Sequence, residues 1–213
     1  MSTTAGSGVA IVHVDAHCIV ADKPSGLLSV PGRGDDKQDC VSERVRALHP
    51  DALIVHRLDM STSGLMLLAR GIAAQRLLGT AFASRSVRKT YVAIVAGRVE
   101  QASGEIDLPL AADWPNRPRQ RVDREHGKPS LTRWRVLAHD GNSTRLELEP
   151  ITGRAHQLRV HLCAIGHPIL GDALYADAAV RDAAPRLLLH ATTLAFAHPH
   201  DGAAMRFESA APF

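Results

Sequence analysis

Cysteine is scarce. Cys18, Cys40 and Cys163 are the only three in 213 residues. They are odd in number, widely spaced and form no C-x-x-C pair, so neither a disulfide framework nor a zinc site is suggested. Aromatic residues make up 4% of the chain, too few for a platform that stacks successive bases of a single strand. No run of about 18 apolar residues exists, so no transmembrane helix is expected. The opening MSTTAGSGVAIVHV lacks the basic region, long apolar stretch and cleavage site of a signal peptide. A reducing, cytoplasmic setting is the simplest expectation, with residues 1–8 as a loose tail. Repeats and low-complexity stretches are absent, as are H-E-x-x-H, G-x-S-x-G, phosphate-loop and dinucleotide patterns. Twelve histidines invite a metal, but His156, His161 and His167 are spaced by five and six and miss helical i, i+4 pairing. His198 and His200 flank Pro199 without completing a motif. No metal is expected.

What is present fits a globular protein. Hydrophobic residues are 45% and charged residues 22% of the chain. No linker separates two halves, so one domain over 9–213 is expected, long enough to bury a proper core. The formal net charge is only +3, but it is unevenly spread. Between Arg117 and Arg135 stand seven Lys/Arg, among them Arg117, Arg119, Arg121 and Lys128, against two acids, Asp123 and Glu125. Between Arg85 and Arg98 stand four basic residues and no acid. Such concentration suits a polyanion such as nucleic acid, although any one basic run can equally be a solvated face.

The elements follow from periodicity. Residues 9–14, 18–22, 65–69, 89–97 and 187–196 read as strands, and LTRWRVLA and TRLELEP alternate as strands with one wet face. KPSGLLSVPGR reads as a loop crossing a strand. Helices are expected over 41–48, over 72–83 with Leu77, Leu78, Ala81 and Phe82 on the inner side, and in HQLRVHLCAIGHP. There Leu158, Leu162 and Ile165 share a face and Gly166 suits the position after the cap. Many strands in mixed order with few helices make an α+β fold around a mostly antiparallel sheet. No amphipathic seam points to self-association, so a monomer is expected.

One stretch carries chemistry. HRLDMSTSG, residues 56–64, places Asp59 two residues after Arg57 and just before hydroxyl residues and a glycine. An aspartate there commonly caps a turn. The other reading is a nucleophile, which needs an ionised carboxylate and, if buried, a cationic partner. Arg154 and Arg159, in TGRAHQLRVHL, can each fork onto a carboxylate or lie on a helix surface. Tyr91, one of two tyrosines, can be a core residue or a ring that stacks on one extruded base.

Together KPSGLLSVPGR, HRLDMSTSGLMLLA, KTYVAIVAG, ITGRAHQLRVHLCAIGHPILGD and RLLLHA resemble the RluA family of pseudouridine synthases. They occur in the family's order and span residues 23–191. The segment LPLAADWPNRPRQRVDREHGKPSLT is similar to the family's dual-specificity member. The resemblance implies the pseudouridine synthase catalytic fold, here without the small S4-type RNA-binding module of many relatives. It implies Asp59 as nucleophile, Arg159 as its partner, Tyr91 as the ring on the target base, and Arg57 as the residue entering the RNA stack. The basic segment with Arg117, Arg119, Arg121 and Lys128 would hold phosphates. Structured RNA is the implied partner: uridine 32 of the tRNA anticodon stem-loop and uridine 746 of 23S rRNA. No cofactor is implied. Asp59 would attack either the sugar C1′ or the base C6. The family usually has Thr or Ser where this chain has Ala155, which removes a hydroxyl near the site. A non-catalytic RNA-binding module and an aspartate-dependent N-glycosidase are the alternatives.

Overall fold

Alternation at the start of the chain builds a hairpin. In the computed structural model, which describes residues 8–213, β1 (Ala10–Val14) pairs antiparallel with β2 (Cys18–Lys23). The expected tail, 1–8, lies outside the described residues apart from Gly8. Residues up to Lys89 group with Ala191–Pro212 as one unit, and Thr90–His190 with Phe213 as another.

In the first unit, α1 (Val41–Arg46) and β3 (Ala52–Ile54) lead to β4 (Ser63–Arg70). β4 is antiparallel to β2, with Cys18 opposite Ala69 and Lys23 opposite Gly64. Its run SGLMLLA is buried at every residue, as a continuous apolar strand covered on both faces requires. α2 (Gly71–Ala83) packs Ala74 and Leu78 onto Cys18, Val20, Leu65, Leu67 and Ala69. Leu77, expected on that side, is instead 55% exposed. A helix lying on a sheet buries one narrow stripe, and Leu77 stands about 100° round from Leu78.

The second unit opens with β5 (Arg88–Ala96), which starts two residues before the boundary. Next come β6 (Ser103–Asp107), the short β7 (Leu110–Ala112) and β8 (Gln120–Val122), then β9 (Leu131–Asp140) and β10 (Ser143–Pro150). The order is β5-β10-β9-β6, antiparallel throughout, while β7 and β8 form a separate hairpin. α3 (Gln157–Ala164) ends as its sequence anticipates. Gly166 takes φ 83°, its N–H bonds to Cys163 O, and His167 N–H reaches Leu162 O, the paired bonds of a Schellman motif. Ile165, expected on the buried face, is the cap residue, leaves helical geometry and is 37% exposed. After α4 (Ala178–Asp182), β11 (Leu189–Ala197) carries the chain back to the first unit. There it lies beside β4 and pairs antiparallel with β12 (Ala204–Glu208). A Cβ on Gly64 would meet the Ala191 carbonyl oxygen at 2.3 Å. The glycine lets the two backbones approach. The fold is α+β, with few helices and mostly antiparallel strands.

Candidate active site

Asp59 is half-buried in the loop before β4, between exposed Arg57 and exposed Met60. The backbone carbonyl of Asp59 closes the following turn by accepting from Thr62 N–H at 3.1 Å. The loop itself is gripped by residues 23–29. Lys23 is fully buried, and its ammonium donates to the carbonyls of Pro24, Leu27 and Met60 at 2.9, 2.6 and 2.9 Å. Gly26 N–H also reaches Met60 O, and Ser25 Oγ donates to Ser61 O at 2.7 Å. Ser29 Oγ donates to Leu58 O at 2.7 Å and accepts from Leu58 N–H at 3.0 Å. The backbone on each side of Asp59 is thus fixed by the KPSGLLS stretch.

His56 stands at the head of the same loop. Its Nε2 accepts from Leu67 N–H at 2.9 Å, and its ring stacks on Phe82 at 4.5 Å. Burial, followed by the nearby Lys89 charge, pushes its pKa down to about 3. Burial also lowers the pKa of Lys89, whose ammonium lies 5.4 Å from the Phe82 ring centre. His56 is a neutral anchor between the loop and β4.

In the second unit, Arg159 is no surface helix residue. Its guanidinium forks onto Asp172, Nε to Oδ2 at 2.8 Å and Nη2 to Oδ1 at 2.6 Å, with the side chains 4% and 1% exposed. Asp172 Oδ1 also accepts from the N–H groups of Leu174 and Tyr175. The fork takes two of the five guanidinium donors, and Nη1 takes no part in it. Arg159 also lies 5.1 Å from the Tyr175 ring centre. The Tyr175 hydroxyl bonds His156 Nδ1 at 2.6 Å and accepts from Gln120 N–H at 2.8 Å. One network therefore joins the base of the β7–β8 hairpin to Arg159. Tyr91 is buried in β5, opposite Leu148 of β10.

The β7–β8 hairpin and the turn that follows it present the basic residues. Arg117, Arg119, Arg121 and Lys128 are exposed. Arg117 stacks on Trp114, 3.3 Å from its ring centre, and Trp114 is 68% exposed. Not all the local positive charge is uncompensated. Arg121 pairs with Asp123, Arg133 with Glu105 and Arg135 with Glu147. Two of the histidines weighed for a metal hold backbone and hydroxyl partners. His161 bonds Thr132 and the Leu108 carbonyl, and His167 the Ala96 carbonyl.

A family model of RNA pseudouridylate synthases matches residues 17–164. The chain belongs to that family. It is 50% identical over 204 residues to the dual-specificity RNA pseudouridine synthase RluA of Escherichia coli, covering 95% of this chain and 93% of that one. It is 52% identical over 190 residues to the enzyme of the same name from Pasteurella multocida, covering 89% and 87%. Among solved structures it resembles human RNA pseudouridylate synthase domain containing 1, with TM-score 0.82 and 29% identity, covering 100% and 87%. The protein is an RNA pseudouridine synthase of the RluA family.

Within this synthase, Ala155 is exposed. Gln157 organises the neighbouring backbone instead. Its Oε1 accepts from Thr152 Oγ1 and Arg154 N–H, and its Nε2 donates to Leu131 O and Thr132 Oγ1. Sequence reasoning missed Lys23, Ser29, Asp172 and Tyr175, and weighed His156 only as a metal ligand. Lys23 and Asp172 lay inside the matching motifs, and a charge inside an otherwise apolar or glycine-flanked stretch was the available signal.

Proposed function

We propose that the synthase converts uridine to pseudouridine in structured RNA loops, with the tRNA anticodon stem-loop at uridine 32 and 23S rRNA at uridine 746 as its targets. Near-full-length identity to dual-specificity relatives supports the targets. Loops suit the reaction because a less-stacked base costs less to extrude. The observation that carries the reading at residue level is the grip of residues 23–29 on the backbone around Asp59. Preorganisation of this kind serves a group that must meet a reacting atom.

In this reading Arg57 enters the RNA stack where the uridine leaves, and Tyr91 packs on the flipped base. Asp59 attacks the sugar C1′ or the base C6, and Arg159 keeps the carboxylate charged and oriented. The glycosidic bond breaks, the base turns, C5 joins C1′ and the C5 proton leaves. Atoms are conserved, so the chemistry calls for no cofactor. Arg117, Arg119, Arg121 and Lys128 hold phosphates. The protein acts as a monomer in the cytoplasm, where its RNAs are.

The test is tritium release from RNA labelled at uridine C5, on a tRNA transcript and a 23S rRNA fragment. Wild type releases tritium without free uracil, and Asp59→Ala loses at least about a thousandfold in rate while binding RNA within a few-fold. Free uracil would identify an N-glycosidase. Binding without release would identify a non-catalytic module. Full activity of Asp59→Ala would sink the nucleophile assignment.

A further inference from the structure

Three side chains from two hairpins of the first unit converge on one carboxylate oxygen. Asp15 closes the turn between β1 and β2 with Oδ1, which accepts from His17 and Cys18 N–H at 2.7 and 2.8 Å. Its other oxygen, Oδ2, lies 2.6 Å from His13 Nε2, 3.5 Å from Cys18 Sγ and 3.3 Å from His198 Nε2. The donor atoms of His13, Asp15 and Cys18 all lie within 4.8 Å of one another. His198 comes from the turn between β11 and β12. Its Nδ1 bonds Asp201 Oδ1 at 2.9 Å, the outer carboxylate that typically orients a ligating histidine and leaves Nε2 to bind. Asp15 shows the same division, one oxygen held by backbone and one facing the cluster. His17 covers the group, stacked on His200 at 4.6 Å and edge-on to His198 at 5.5 Å.

We propose that His13 Nε2, Asp15 Oδ2, Cys18 Sγ and His198 Nε2 form a binding site for Zn²⁺ or a similar borderline divalent cation. Two imidazoles, a thiolate and one carboxylate are the donors such ions select, in tetrahedral number. Bonds of about 2.0–2.3 Å place tetrahedral ligand atoms roughly 3.3–3.6 Å apart. The distances from Asp15 Oδ2 to Cys18 Sγ and His198 Nε2 already lie close to that spacing, and the His13–Asp15 pair must open. Both imidazoles bind as neutral bases. The thiol proton, and any proton shared by His13 and Asp15, pass to solvent. The ion ties the β1–β2 hairpin to the β11–β12 hairpin. It takes no part in isomerisation: Cys18 pairs with Ala69 and Lys23 with Gly64, so the cluster sits about 17 Å along β4 from the end that carries Asp59.

The test is equilibrium dialysis of the chelator-treated full chain against ZnCl₂, with Co²⁺ as a spectroscopic probe. Wild type binds one Zn²⁺ with a dissociation constant in the low micromolar range or tighter. Affinity falls at least about tenfold in His198→Ala and in Cys18→Ser and is unchanged in His200→Ala. Co²⁺ gives a thiolate charge-transfer band that Cys18→Ser abolishes. Circular dichroism checks folding, and His198→Ala decides if Cys18→Ser misfolds. No saturable binding below about 0.1 mM, binding that survives His198→Ala, or binding lost only in His200→Ala would overturn the site and leave a hydrogen-bonded cluster. Tritium release persists in His198→Ala either way, so this failure is distinct from failure of the catalytic reading.

Discussion

Arg159 illustrates how much one side chain's surroundings add to its sequence reading. As a letter in QLRVHL it was equally a surface residue or a carboxylate clamp. Its fork onto Asp172, both groups almost wholly buried, makes it part of the interior. Breaking such a pair from one side leaves a charge uncompensated. Asp172→Asn therefore loses about 3 kcal/mol or more of stability, measurable by urea unfolding. His56 yields a prediction with a sign. Burial holds its folded pKa near 3, below the unfolded value of about 6.5. The unfolded chain thus binds the extra proton first. The neutral ring's contribution is complete above about pH 6.5 and is lost as pH falls from there toward 3. The slope approaches 1.4 kcal/mol per pH unit in the middle of that window. Comparing wild type with His56→Gln by urea unfolding at pH 7, 5.5 and 4.5 isolates this share, because the remaining carboxylates are common to both. An unchanged difference across the three pH values would refute it.

At the scale of elements, the long strands and helices were legible and the short ones were not. VAIVHV, SGLMLLA, KTYVAIVA and TRLELEP each offer enough alternation or apolar length to declare a strand. The three-residue β3, β7 and β8 are too short to show a period, and partners fix them instead. The loop 23–29 was legible as a loop but not as a clamp, since hydrogen bonds from Lys23 and Ser29 to backbone carbonyls leave no trace in residue spacing. Its importance can be measured. Ser29→Ala strands both the Leu58 N–H and C=O in a buried setting, at a cost of about 1–3 kcal/mol. Because Leu58 adjoins Asp59, kcat should fall between about tenfold and a hundredfold, with RNA affinity nearly unchanged. A variant with wild-type kcat would show that the grip serves stability alone.

For the whole molecule, the concentration of basic residues was visible in the sequence, but their pairing was not. Arg133 and Arg135 stand in a strand and face acids on its neighbours, whereas Arg117 and Arg119 sit exposed on the β7–β8 loop. RNA affinity measured against salt separates them. Removing a phosphate contact lowers the slope of log K against log salt by about 0.7–0.9. Arg117→Ala and Arg119→Ala should each show that change, and Arg135→Ala should show little. The proposed roles of Asp59, Tyr91 and Arg159 rest on motif resemblance, because the three lie far apart in the chain and no local period links them. The unit that bears Asp59 is also discontinuous: it needs residues from both ends of the chain, with β11 beside β4. During translation the continuous stretch 90–190 separates them, so β11 leaves the ribosome roughly 120 residues after β4. At roughly 5–20 residues per second, β4 waits several seconds for its neighbour. The Asp59 loop is therefore among the first parts of this enzyme to be made and among the last to be finished.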